Sequence, residues 1–334
     1  MKRNKVTLNV LAKEVGLSIS TISKSLKDSD EISEETKLLV IEAAKRLGYK
    51  GTVVNPKTNK IVAVVIPDVI NDFFAQVLTG IEEVATQHNY KVITCLTNES
   101  LDKEVAYLDV LDDNSIDGII IAAAKETQTS NQITHLQRVV DKNIPMVMFD
   151  RSIDDVECDK IVVDDVLSAA RAVEFLVDRG DKHICMASSI SQINVGQLRE
   201  QGVRKAMESH EDVILNVITS TEEAQFEKRM EDALRYDGID AVIALDQAAA
   251  IIALNKANEL NIAIPQDLQI IGYSNGILSR YSYPKMTVID QHARELGNKA
   301  FIRMRNLIDN EDDIKVTRIH TLKTSLLERG TTRK

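Results

Sequence analysis

Apolar residues recur at helical spacing from the start of the chain. Leu8, Leu11, Ala12 and Val15 form one stripe behind Thr7, which can serve as N-cap, and predict a short helix. Gly16 follows where the chain must turn sharply, a position that favours a residue free to take positive φ. Ser18 can cap a second helix whose Ile22 and Leu26 face inward, leaving Ile19, Ser20, Ser23 and Lys24 outside. Ser33, with Glu34 and Glu35 in the first turn, opens a third helix that Gly48 closes. Leu38, Leu39, Ile41, Ala44 and Leu47 are its apolar positions. Two short helices at a tight corner have helix-turn-helix geometry, whose second helix enters the DNA major groove. Any small helical hairpin has the same spacing, so the pattern alone leaves both readings open.

From Ile61 the period changes. Runs rich in Val and Ile alternate with amphipathic helical stretches such as FFAQVLTGIEEVATQH. The runs are IVAVVI (61–66), YKVITCL (90–96), GIIIAA (118–123), PMVMF (145–149), KIVV (160–163), HICMA (183–187), VILNVI (213–218), DAVIAL (240–245) and LQIIGY (268–273). Strands of this kind, each followed by a helix, predict parallel sheets covered on both faces. Nine such runs favour two doubly wound subdomains over one, with a break near 155–162, where RSIDDVECDK is acidic and aperiodic. Ligands in such folds bind outside the carboxyl ends of the strands, so a cleft between the halves is the expected site.

Charge sharpens this division. Residues 1–60 carry 12 Lys or Arg against 7 Asp or Glu, whereas the rest carries 29 against 44. A basic front on an acidic body suits a module meant for a polyanion. At 334 residues the chain is long enough for a small headpiece and two subdomains. No apolar run is long enough to span a membrane, and MKRNKVTLNVLAK lacks the apolar core of an export signal. Cys95, Cys158 and Cys185 are few and far apart, which fits buried thiols in a reducing cytoplasm better than a disulfide framework.

Enzymatic readings find little support. An oxidoreductase on this strand-helix alternation needs GxGxxG after a strand, but the first strand ends in IPDVINDFF. GxxxxGK[ST] is absent, and the six His have neither metal spacing nor a paired nucleophile. No catalytic residue, cofactor or metal is therefore expected. A secreted sugar-binding protein would share the body but not the basic front.

The features from Val6 to Tyr49 resemble the headpiece of the LacI (LacI/GalR) family of bacterial transcription regulators. They are the Ala12–Gly16 corner, the SxSTIS run, ISEETK and the closing AAKRLGY. Through IPDVINDFF, IDGIII, IPMVMFDR, IVVDD, LREQGV, IPQDLQIIGYSN, MTVIDQ and LLERGT, the body resembles that family's periplasmic-binding-protein-like effector core. The resemblance implies an all-α helix-turn-helix headpiece (1–50), a linker (51–60) and a core (61–334) of two doubly wound α/β subdomains. Three crossings between subdomains then give about 61–161 plus 290–318 and about 162–289 plus 319–334.

It further implies a homodimeric regulator on pseudo-palindromic double-stranded operator DNA, with a small-molecule effector, of carbohydrate type, in the cleft. Repression is the expected mode, and activation fits the same coupling. Ile19, Ser20 and Lys24 fall where the family reads base edges; Thr7, Ser18, Thr21, Ser23 and the run Lys2, Arg3 and Lys5 fall at phosphates. Phe73 and Phe74 take the place of the family's pocket aromatics, with capping of their helix against the core as the other reading. Asp150, Arg199, Asp246 and Gln291 align with ligand-contacting positions.

Two departures stand out. Where the family has an acid after the GY or GF strand end, this chain has Ser274 and then Asn275, so hydroxyl and amide replace a carboxylate. The linker KGTVVNPKTNK is short and lacks the family's Pro-Asn pair and minor-groove leucine, while Pro56 and two valines disfavour a helix. A full hinge helix is not expected there. Val53 or Val54 is the available apolar wedge, and TTRK at the end of the chain offers no tetramerising heptad.

Overall fold

The computed structural model describes residues 6–27, 29, 31–49, 60–111, 115–309 and 317–334. The expectations for Lys2, Arg3, Lys5, Val53 and Val54 lie outside the described residues. The chain divides into two compact units, 1–60 and 61–334.

The first unit contains α1 (Leu8–Val15), α2 (Ile19–Leu26) and α3 (Glu34–Leu47). Leu11, Ile22, Leu26, Val40, Ile41 and Ala44 form its core. Gly16 takes φ +74° at the corner, and its N–H closes back on the Ala12 carbonyl. The Ser18 hydroxyl accepts the Thr21 N–H at 3.0 Å, and Ser33 accepts that of Thr36 at 3.4 Å. Thr7 has the extended backbone of an N-cap, but its side chain makes no capping bond.

Leu38 and Leu39 correct the sequence reading, for they are 49% and 52% exposed. Four successive apolar residues, 38 to 41, wrap most of a helix turn at 3.6 residues per turn. Only Val40 and Ile41 can face the core formed with α1 and α2.

The second unit carries two six-stranded sheets. In the first, β1 (Ile61–Ile66), β2 (Lys91–Leu96), β3 (Gly118–Ile121), β4 (Met146–Phe149) and β5 (Asp159–Val163) are joined by β11 (Ile319–Leu322), in the order β11-β5-β4-β3-β1-β2. In the second, β6 (His183–Ser188), β7 (Ile214–Thr219), β8 (Ala241–Ala244), β9 (Gln269–Tyr273) and β10 (Thr287–Asp290) are joined by β12 (Ser325–Leu327), in the order β12-β10-β9-β8-β6-β7. The halves thus repeat one topology. Pairing is parallel except between β10 and β12. This antiparallel edge is possible because β12 enters the second sheet directly from the first, without a helical crossover.

The crossings fall later than the sequence suggested. β5 runs to Val163 inside the first sheet, so the first crossing follows it and is not at 161. Ile319–Leu322 pairs with Lys160–Val163, which moves the third crossing from 318 to 323–324. A β-branched run shows where a strand is, but not which sheet it joins.

Paired glycines set the helix packing of the first half. α4 (Asp72–Gln87) crosses α13 (Ala293–Ile308) so closely that a Cβ at Gly80 would lie 2.1 Å from the Arg294 carbonyl oxygen. One at Gly297 would lie 2.1 Å from that of Val77. Among the described residues, no helix is long and apolar enough to cross a membrane.

Candidate functional site

Where the carboxyl ends of the two sheets face each other lies a cavity of about 60 Å³. By what one water needs, it has room for roughly four to six. All seven sequence-predicted core residues line it. Phe73 and Phe74 come from the first turn of α4, whose cap is the Asn71 side chain accepting the Phe73 N–H at 3.1 Å. Their rings meet edge to face, 5.3 Å apart at 73°, and Phe74 also packs on Phe149 at 6.2 Å. The rings belong to the core and also line the cavity.

Asp150 and Ser274 occupy equivalent places in the repeated topology, one residue past β4 and β9. Both lie in the left-handed region, at φ +53° and +75°. A non-glycine residue held there costs of order 1–3 kcal/mol, and such residues cluster at binding sites. Asp150 is 7% exposed, and its Oδ1 is buried with no partner. Burial raises its carboxyl to about 6, against the pull of Arg199 and with a push from Asp165.

Arg199, on α9 (Asn194–Met207), is not a free cation. Its Nε donates to Asp165 at 2.7 Å, one guanidinium nitrogen donates to the Leu245 carbonyl at 2.8 Å, and the group lies 4.0 Å over the Tyr273 ring. Burial works against its charge, but Asp165, Tyr273 and Asp150 outweigh burial and hold its pKa above the usual arginine range. Arg151 also lines the cavity and ion-pairs with Glu99.

Asp246 caps α11 (Gln247–Glu259). Its two oxygens accept from the Ser189 N–H at 2.7 Å, the Ser189 hydroxyl at 2.8 Å and the Ala249 N–H at 3.0 Å. Its first task is therefore to shape the wall. Gln291 Nε2 and Gln247 Oε1 are, like Asp150 Oδ1, buried without a partner. Asn275 is turned away, because its amide donates to Asp290 at 2.9 Å and accepts from Arg329. It is not among the residues that line the cavity.

Sequence reasoning missed Asn71, Arg151, Tyr273 and Gln247 as lining residues and Asp165 as partner of Arg199. Each adjoins a residue or motif already singled out, but sequence proximity does not say which neighbour points into the cavity. The three cysteines lie elsewhere, buried and free, with their thiol pKa values raised by burial.

On the first unit, Ile19 is 50% exposed, and Thr7, Ser18 and Ser20 are exposed too. Thr21, Ser23 and Lys24 are half-buried. Lys24 ion-pairs with Glu31, and the Ser18 and Thr21 hydroxyls lie 2.8 Å apart. A half-exposed isoleucine beside small hydroxyls and a lysine gives α2 an outer face suited to a major groove.

Comparison with known proteins followed the same division. Residues 7–51 match the family of bacterial regulatory proteins of the lacI type, and residues 173–332 match the periplasmic binding protein-like domain. The transcriptional regulator DegA of Bacillus subtilis is 28% identical over 88% of this chain and 88% of its own. A lac repressor dimer bound to operator and the anti-inducer ONPF superposes with TM-score 0.73 and 22% identity, covering 98% of this chain and 99% of that one. A LacI family regulator from Enterococcus faecium with bound ribose gives TM-score 0.72 and 23% identity, covering 82% and 98%.

Proposed function

Since this chain belongs to the LacI family of bacterial transcription regulators, we propose that it represses transcription by binding an operator and that a small molecule in the core cleft sets its affinity. Members of that family are regulators, not enzymes, and the protein works in the cytoplasm. The observation that carries the reading is the cleft itself. Seven positions chosen from the sequence converge on one cavity that buries polar atoms without partners. An unmet buried polar group costs about 1–3 kcal/mol, a cost that a bound ligand recovers.

The effector is a carbohydrate on this reading. Phe73 and Phe74 offer apolar ring surface, and Asp150, Ser274, Gln247 and Gln291 offer hydroxyl-matching groups. Ribose occupies the Enterococcus faecium protein of the same fold. The active species is a homodimer whose two headpieces meet the halves of a pseudo-palindromic site. Ile19, Ser20 and Lys24 read bases, and Thr7, Ser18, Thr21 and Ser23 hold phosphates. Effector binding shifts one subdomain against the other and alters headpiece spacing, so operator and effector affinities change each other by the same factor.

The test is a mobility shift on DNA upstream of the protein's own gene, with and without a panel of sugars. Retardation that one sugar changes supports the proposal. Sugar binding with no affinity for any DNA would replace it with a transport-type protein.

A further inference from the structure

The cations around the cleft are already paired, and that pairing restricts what can enter. Among the described residues, Arg151 and Arg199 are the cationic side chains lining the cavity. Both are engaged by carboxylates, Arg199 by Asp165 at 2.7 Å and Arg151 by Glu99. The carboxylates that line the cavity, Asp150 and Asp246, form no ion pair with either arginine. Asp246 satisfies its charge with N–H and O–H donors from the wall.

We propose that the cleft selects an uncharged polyhydroxy ligand and rejects anionic ones such as sugar phosphates and uronates. This rests on the reading of the cleft as the effector site. An anion would meet a wall with no spare positive charge and two carboxylates, and at short range in a protein interior that repulsion is large. The unpartnered atoms state the positive requirement. Asp150 Oδ1 and Gln247 Oε1 need hydrogens, and Gln291 Nε2 needs a lone pair. A hydroxyl supplies both, so neighbouring hydroxyls on one ring can answer all three. An ammonium supplies hydrogens only and leaves Gln291 unmet. The faces of Phe74 and Tyr273, where a cation would stack, already carry the guanidinium groups of Arg151 and Arg199, 5.2 and 4.0 Å from the ring centres.

Full-length protein is mixed with ribose, glucose, galactose and cellobiose, with the phosphate esters of the three monosaccharides, with glucuronate and galacturonate, and with glucosamine. Native mass spectrometry reads the bound mass, and calorimetry ranks the affinities. The expected result is binding of a neutral sugar, lost in Asp150→Asn, with its charged counterparts at least about a hundredfold weaker. Glu99→Gln, which leaves Arg151 unneutralised, should narrow the gap to the phosphate esters by about tenfold. A phosphate ester, uronate or amino sugar that binds more tightly than its neutral parent overturns the charge rule while leaving the cleft as the effector site. Binding that Asp150→Asn leaves intact overturns the cleft reading itself, as does failure of the whole panel to bind.

Discussion

Gln128 and Asn194 clasp each other across the cleft. Gln128 Nε2 donates to Asn194 Oδ1 at 3.0 Å, and the Asn194 backbone N–H donates back to Gln128 Oε1 at 3.0 Å. The Asn194 amide also donates to the Ser152 carbonyl at 2.9 Å. Gln128, on α6 (Lys125–Ser130), is held in place by Glu104, a buried carboxylate that accepts the Ala124 N–H at 2.6 Å and the Thr127 hydroxyl at 2.8 Å. Asn194 opens α9 in the other half, so the clasp joins the two subdomains.

Gln128→Ala should therefore favour the open arrangement. Two neutral hydrogen bonds contribute about 1–3 kcal/mol together. Calorimetry should show effector affinity falling by about five- to a hundredfold, because closure must then be driven by the ligand alone. Unchanged affinity and unchanged small-angle scattering would show that the clasp plays no part in closure.

Asp150→Asn should trade binding for stability, with a definite pH dependence. A carboxyl raised from 3.8 to about 6 holds its proton more tightly in the folded than in the unfolded chain. Its ionisation therefore lowers stability progressively from about pH 4 to 6, by roughly 2–3 kcal/mol once complete. The variant removes that loss, and asparagine tolerates the left-handed backbone. Urea denaturation should show it more stable than the parent at pH 8 and equal to it near pH 4, while effector binding is lost.

Gly80→Ala or Gly297→Ala should destabilise the core by about 1–3 kcal/mol or more. Each new methyl would stand 2.1 Å from a backbone oxygen of the facing helix, and backbone cannot swing aside as a long side chain would. A melting temperature within a degree of the parent would contradict the close crossing.

Lys24→Ala should cost about 1–3 kcal/mol in operator affinity and relax preference at one base pair. An equal loss on all sequences would assign Lys24 to a phosphate. Ser18→Ala should act differently, weakening the headpiece fold by about 1 kcal/mol through the lost cap bond to Thr21. Chemical denaturation followed through headpiece signals separates the two effects.

The linker makes its own prediction. With Pro56 and adjacent valines in place of a leucine-bearing helix, minor-groove insertion on the operator should be weak or absent. Val53→Ala and Val54→Ala should then change operator affinity by less than about threefold. A hinge helix of two or more turns on operator DNA would contradict it.

The chain's order of polar and apolar residues determined the three headpiece helices and the strand-helix alternation, and the resemblance of its motifs to the LacI family pointed to the seven positions that meet in the cavity. Caps, corners and Val/Ile runs are local signals, set by neighbours within a few residues, and local signals are legible in sequence. What only the tertiary structure decided was pairing. Ile319–Leu322 joins the first sheet and Ser325–Leu327 the second, two residues apart, because free edges beside β5 and β10 receive them. Asp165 neutralises Arg199 across 34 positions, and Asp246 spends its oxygens on Ser189 and Ala249. Whether a charged side chain is spent or available depends on what the folded chain brings within hydrogen-bonding distance, and no local pattern encodes that.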